Sequence, residues 1–285
     1  MSLLELVSRA DVRAQLDRIL PDYQRNQGVP MLVAPGMNEP GIRRTLGTAF
    51  DYAFRMELQR RAGLTRNRPW IAEHEIANLL SASRLRSRRL SNRLRRAQAA
   101  VDEARGFEKR YVRSRAPRRQ TKLKLAAHAF RLARLDAIYR AGRFDTLFVR
   151  PRMAWLDEIV TMLDGVPWWQ IGTSRISLNP TFGPLGEAIG ADADVIADGR
   201  LLELKVKQHP FIEKADIRQV IGYLLLARAA RNSGKRSPRL YSIGIYFARH
   251  CHLWTASVAE IELLPAFAEV ERWFIAQVRS QAALP

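Results

Sequence analysis

The hydrophobic pattern of the chain changes near its midpoint. In the first half apolar residues recur at helical spacing, as Leu and Val over residues 3–20 and around Phe50, Phe54 and Leu58 within 41–62. Pro30, Pro35, Gly36 and Pro40 mark a loop between these two stretches. Further helices are predicted over 71–82, over a long Arg-rich run at 83–115 broken by Pro117, and over 120–141. In the second half the runs are shorter and bounded by turn residues, which predicts strands at 174–178, 192–197, 200–206, 241–247 and 252–257. A strongly apolar helix at 211–229 lies between them, and an amphipathic helix at 266–281 closes the chain. The order strand, strand, strand, helix, strand fits an α/β or α+β core rather than a barrel. The expected division is a helical lobe over residues 1–150 and a sheet-bearing core over 151–285.

Charge adds a partner to this outline. The 285 residues carry 47 Lys and Arg against 28 Asp and Glu, a formal charge of +19, which points to a polyanion. No apolar run approaches the ~18 residues that cross a bilayer, so nucleic acid is expected and a membrane is not. Arg outnumbers Lys, which suits bidentate phosphate contacts. Residues 81–124 hold sixteen Arg and Lys and three acids, so most of the net charge sits in one segment. A solvated face would mix signs, whereas this run does not. Its expected phosphate contacts are Arg88, Arg89, Arg93, Arg95, Arg96, Arg113, Arg115, Arg118 and Arg119. The N-terminal residues lack the order of a secretory signal, and the single cysteine, Cys251, excludes an intramolecular disulfide and a cysteine-ligated cluster. A cytoplasmic protein is expected.

The chemistry concentrates in residues 191–208, ADADVIADGRLLELKVKQ. Asp198-Gly199 is a strong two-residue hairpin signal, because both central positions need positive φ. That turn pairs Ala197 with Arg200, Ile196 with Leu201, Val195 with Leu202 and Asp194 with Glu203. The next pair on the same face is Asp192 with Lys205. Three carboxylates and an ammonium then share one face, while Val195, Leu202, Leu204 and Val206 occupy the other, expected to be the core side. Cross-strand ion pairs on a solvated hairpin are the plainer reading, but like charges directly opposed, as Asp194 and Glu203 would be, call for a cation between them. Carboxylates so placed suit Mg²⁺ or Mn²⁺, with Asp194, Glu203 and Asp192 as ligands, and a lysine beside them can stabilise charge building on a phosphate.

Asp194 followed by Glu203-Leu204-Lys205 resembles the D…(D/E)xK signature of the PD-(D/E)XK nuclease superfamily. Gln219 and Tyr223, four residues apart on one face of the following helix, resemble the QxxxY motif of its RecB-like branch. A helix-capping role beside Asp216 is the plainer reading of Gln219, and a core aromatic that of Tyr223. The resemblance covers roughly residues 174–250. It implies a restriction-endonuclease-like core, a mixed central sheet flanked by helices, and Mg²⁺-dependent hydrolysis of phosphodiester bonds. It also implies ligands Asp194 and Glu203, catalytic Lys205, and Gln219 and Tyr223 lining the site. Many relatives add a glutamate from an earlier helix, for which Glu57 and Glu187 are candidates. A deoxyribonuclease of genome defence or DNA processing is the resulting expectation, its specificity supplied by the basic lobe or by a partner protein. A non-catalytic nucleic-acid-binding or scaffold protein on the same fold is the alternative. Other patterns are weaker: His250-Cys251-His252 lacks a fourth zinc ligand, and Trp168-Trp169 reads as a core pair before it reads as a base-stacking surface.

Overall fold

In the computed structural model, residues 2–35, 42–64, 70, 73, 88–141, 150–235 and 237–282 are described, except the side chains of 88–90, 137–141 and 282. The helix expected at 71–82 lies almost wholly outside them, as do Arg84 and Arg86. The chain is mixed α/β and divides into two compact units, Met1–Leu32 with Pro167–Pro285, and Val33–Val166. This departs from the expected division at residue 150. The first 32 residues fold with the sheet, and the helical unit runs on to Val166.

The sheet unit begins with two short helices, α1 (Leu3–Ser8) and α2 (Ala10–Leu16), rather than one continuous helix, because Arg9 takes an extended conformation (ψ 143°). Their apolar residues Leu3, Leu6, Val7, Val12 and Leu16 are buried in the same core cluster as the sheet. The sheet has five strands in sequential order: β1 (Ile176–Leu178), β2 (Val195–Ala197), β3 (Arg200–Lys205), β4 (Ser242–Phe247) and β5 (His252–Ser257). All neighbours are antiparallel except β3 and β4, which are parallel and joined through a 19-residue helix, Lys214–Asn232. A parallel pair needs such a crossover, whereas the antiparallel pair β2–β3 closes through a two-residue turn. That turn is Asp198-Gly199, at φ 46° and 78°, with the pairing Ala197–Arg200, Ile196–Leu201 and Val195–Leu202 that the sequence predicts. Asp198 also accepts the backbone N–H groups of Ser174 and Arg175, tying the turn to the start of β1.

The core side of the hairpin differs from expectation. Ile196, Leu201, Ile243 and Ile245 cluster with Ile217, Val220, Ile221 and Leu224 of the crossover helix, so the helix packs on the face that bears the carboxylates. Val195 and Leu202, on the opposite face, are also fully buried, while Leu204 and Val206 are only half-buried. The sheet is therefore covered on both faces where these strands cross, as expected for a strand with a parallel neighbour.

The other unit contains α3 (Ile42–Ala62), α4 (Arg88–Val112), α5 (Arg119–Ala141) and α6 (Met153–Asp164) among its described residues. Phe130 stacks on Trp155 at 5.4 Å, and the Tyr52 hydroxyl donates to Asp136 at 2.9 Å. His128 stacks on Phe107 at 4.7 Å, where burial, followed by the charge of Arg131, lowers its imidazole to about 4. A histidine whose folded pKa lies below its free value near 6.5 contributes stability that is intact above that pH and lost as pH falls through about 4. His128→Leu is expected to flatten the loss of stability between pH 6.5 and 4, which thermal melts across that range would read. An unchanged acid limb would assign the pH dependence to other groups.

Candidate active site

The hairpin ladder stops at Val195–Leu202. One step on, where Asp194 would pair with Glu203 through the backbone, the Asp194 side chain takes over: its Oδ2 accepts the Leu204 N–H at 2.7 Å. The Asp194 carbonyl serves β1's side instead, accepting the Asn179 N–H at 3.2 Å. The ladder therefore never reaches an Asp192–Lys205 pair. Asp192 is exposed, and its backbone carbonyl receives the Tyr223 hydroxyl at 2.7 Å. A strand that ends in a side-chain bond rather than a ladder bond holds its carboxylate rigidly at the strand end.

Glu203 lies between Asp194 on one side and Ile245, its register partner on β4, on the other. Its Oε1 accepts from Lys205 Nζ at 3.0 Å and from Gln219 Nε2 at 3.0 Å. Gln219, on the crossover helix, accepts from Lys205 Nζ through Oε1 at 3.2 Å and donates from Nε2 to the Tyr223 hydroxyl at 3.1 Å. Lysine can only donate, so the Gln219 oxygen must face Lys205 and its nitrogen is left for Glu203 and Tyr223. Lys205 Nζ also lies 3.5 Å from Asp216 Oδ1. Gln219 thus sits within the site and does not cap the helix. The cap is made by Glu213 and Asp216, each bonding the other's backbone. Tyr223 is both buried and hydrogen-bonded, its ring tilted against Phe182 at 5.6 Å while its hydroxyl closes the network.

The electrostatics follow from burial. Removal from water, then repulsion from Asp194, pushes the Glu203 carboxyl up to about 8 despite the pull of Lys205 and Gln219. Burial works against the Lys205 ammonium, but Glu203 and Asp216 outweigh it and hold its pKa above the ordinary value. Burial, followed by the negative charge of Glu203, raises the Tyr223 phenol, which stays a donor. Glu203 Oε2 is buried with no hydrogen-bond partner. Such an atom is costly unless something cationic or protic meets it. Asp194 and Glu203 offer hard oxygen donors, and Mg²⁺ commonly takes only one or two carboxylates from a protein, filling the rest of its shell with water and substrate. No group of three or more His, Cys, Asp or Glu able to hold a metal is gathered among the described residues. The two-carboxylate arrangement fits this cation, and the other two candidate carboxylates, Glu57 and Glu187, each have partners of their own. Glu57 lies in the helical unit with its carboxylate bound by Arg60 at 2.7 Å, Arg61 at 2.8 Å and Tyr111 at 2.8 Å. Glu187 is exposed and accepts from Thr181 at 3.2 Å.

The basic run is only partly available to a ligand. Arg95, Arg96, Arg113, Arg115 and Arg118 are exposed and Arg93 is half-buried. Arg119 is exposed but paired with Asp157 at 2.6 Å, and Lys122 pairs with Asp164. Arg105 packs 3.6 Å over the Trp70 ring and pairs with Glu73 and Glu108, so its charge is used within the fold. The side chains of Arg88 and Arg89 lie outside the described residues. The Trp168-Trp169 pair is not a core pair: Trp169 is 84% exposed.

Sequence reasoning placed Asp194, Glu203, Lys205, Gln219 and Tyr223 together, and the structure joins them. It missed Lys207, whose Nζ reaches Asp216 Oδ2 at 2.5 Å, and the contact of Asp216 with Lys205. The available signal was the i, i+2 spacing of Lys205 and Lys207 at the end of β3, whose last residue is Lys205. Compared with protein-family models, curated proteins and solved structures, the chain matches none. Among the described residues no helix is long and apolar enough to cross a membrane.

Proposed function

We propose that the chain is a metal-dependent nuclease that hydrolyses phosphodiester bonds in DNA, on a core of the restriction-endonuclease type. The observation that carries this reading is the buried, unpartnered Oε2 of Glu203 beside Asp194, in a network whose other members are Lys205, Gln219 and Tyr223. The exposed arginines of α4 and the turn after it support a polyanionic substrate.

Asp194 and Glu203 would hold Mg²⁺ or Mn²⁺. The ion, when bound, would neutralise phosphate charge and make water a better nucleophile. Lys205 stays charged and is held by three acceptors, ready to stabilise negative charge that develops on the phosphoryl oxygens. Gln219 keeps Glu203 and Lys205 in register, and Tyr223 fixes Gln219 from the far side through Asp192.

The test is incubation of purified protein with Mg²⁺ or Mn²⁺ on linear, circular and single-stranded DNA, and on RNA. Cleavage of none of them would sink the reading and favour a non-catalytic binding protein. Lys205→Ala is expected to lower turnover by about 10²–10³-fold while calorimetry still detects Mg²⁺ binding. Abolished ion binding in that variant would contradict the division of roles.

A further inference from the structure

We propose that Asp216, supported by Lys207, is a positioning residue for Lys205, a role that rests on the nuclease reading of the site. Asp216 is buried in the first turn of the crossover helix, near the positive end of the helix dipole, which favours a carboxylate there. Its Oδ2 is held by Lys207 Nζ at 2.5 Å and by the Glu213 N–H at 3.1 Å. Its Oδ1 faces Lys205 Nζ at 3.5 Å. Lys207 is itself tied down, since its Nζ also donates to the Phe211 carbonyl at 3.3 Å. The carboxylate is therefore anchored on one oxygen and presents the other to the lysine.

The physical need for it comes from the other partner of that lysine. Glu203 holds Lys205 through Oε1, yet Glu203 is also the carboxylate that a divalent cation would engage. A lysine located by Glu203 alone would shift whenever the cation drew that carboxylate away. Asp216 gives Lys205 a second anionic anchor that lies on a different element and has no part in holding the ion. Together with the Gln219 carbonyl it keeps the ammonium in one place in both states.

The alternative is that Asp216 serves only the helix cap, and the two roles separate experimentally. Asp216→Asn keeps an oxygen for the Glu213 N–H but loses the charge, while Asp216→Glu restores the charge. Glu213→Ala removes the other half of the cap, the bond from the Asp216 N–H to the Glu213 carboxylate, and leaves the Asp216 carboxylate with Lys205, Lys207 and the Glu213 N–H. Asp216→Asn is expected to lower kcat about tenfold with KM little changed, and Asp216→Glu to recover part of it. Site-resolved acetylation of lysines with an N-hydroxysuccinimide ester gives a readout independent of activity. Lys205 should be protected in the wild type and modified several-fold faster in Asp216→Asn, with Glu213→Ala resembling the wild type in both assays. Equal effects of Glu213→Ala and Asp216→Asn would reduce Asp216 to a cap, and unchanged Lys205 protection in Asp216→Asn would overturn the proposal. A wild type that cleaves nothing would remove the nuclease reading, and the acetylation pattern would still decide whether Asp216 positions the lysine.

Discussion

Asp194→Asn and Glu203→Ala are each expected to abolish metal-dependent cleavage while leaving DNA binding close to that of the wild type. On the proposed reading the two carboxylates would supply the oxygens for the ion, whereas the arginines proposed to contact phosphate are other residues, exposed on the basic run. A third variant separates ion binding from fold. Glu203→Gln keeps the shape of the side chain and removes a carboxyl that burial and Asp194 push up to about 8. An acid whose folded pKa exceeds its unfolded value is fully compatible with the fold below about 4.5 and costs stability as pH rises toward 8. In EDTA, Glu203→Gln should therefore be more stable than the wild type at pH 8–9, with the gain shrinking toward pH 5. Added Mg²⁺ should stabilise the wild type and not the variant, because only the wild type gains binding energy in the folded state. Thermal melts at pH 5 and 8.5, with and without Mg²⁺, read all four conditions. Wild-type cleavage by both Asp194→Asn and Glu203→Ala would show that the hairpin is not the active site.

Replacing Arg95, Arg113, Arg115 and Arg118 with Gln is expected to weaken DNA binding about equally for all sequences. It should also flatten the dependence of log affinity on log salt by roughly 0.7–0.9 for each phosphate no longer neutralised, up to about 3 in total. These four are exposed in the structure. Arg105 and Lys122 are committed to internal partners, so replacing them should act on stability rather than on the salt slope. The cause is counterion release: each arginine on a phosphate displaces a condensed cation, and a glutamine does not. A sequence-reading surface would lose discrimination between sites before it lost salt sensitivity, and an ordinary solvated face would lose neither. An unchanged slope in the quadruple variant would exclude this run as the phosphate-contacting surface.

Much of the site was legible in the sequence because it is built from short-range rules. The Asp198-Gly199 turn sets the register of β2 against β3, and the register sets which side chains face one another. Helical spacing alone puts Gln219 and Tyr223 on one face. The order of elements along the chain also follows from local pattern, and a 19-residue helix between β3 and β4 excludes a tight hairpin there.

What only the tertiary structure decided are the meetings between distant surfaces. The sequence could not say that α1 and α2 would leave the helical half and bury Leu3, Leu6 and Val7 in the sheet's core. It could not say that the crossover helix would cover the carboxylate face, since both faces of the hairpin carry apolar residues and periodicity does not choose between them. Asp194 leaves the ladder to bind the Leu204 N–H, a substitution of side chain for backbone that ideal strand geometry does not anticipate. Nor could the sequence say that the Glu57 carboxylate would meet Tyr111, 54 residues away, as well as its helix neighbours Arg60 and Arg61. Asp216 caps the helix, as its position suggests, but the fold also brings Lys205 and Lys207 beside it. In each case the local rule concerns neighbours a few residues apart, while the deciding partner is brought in by burial of apolar surface far along the chain, and that burial has no fixed spacing to read.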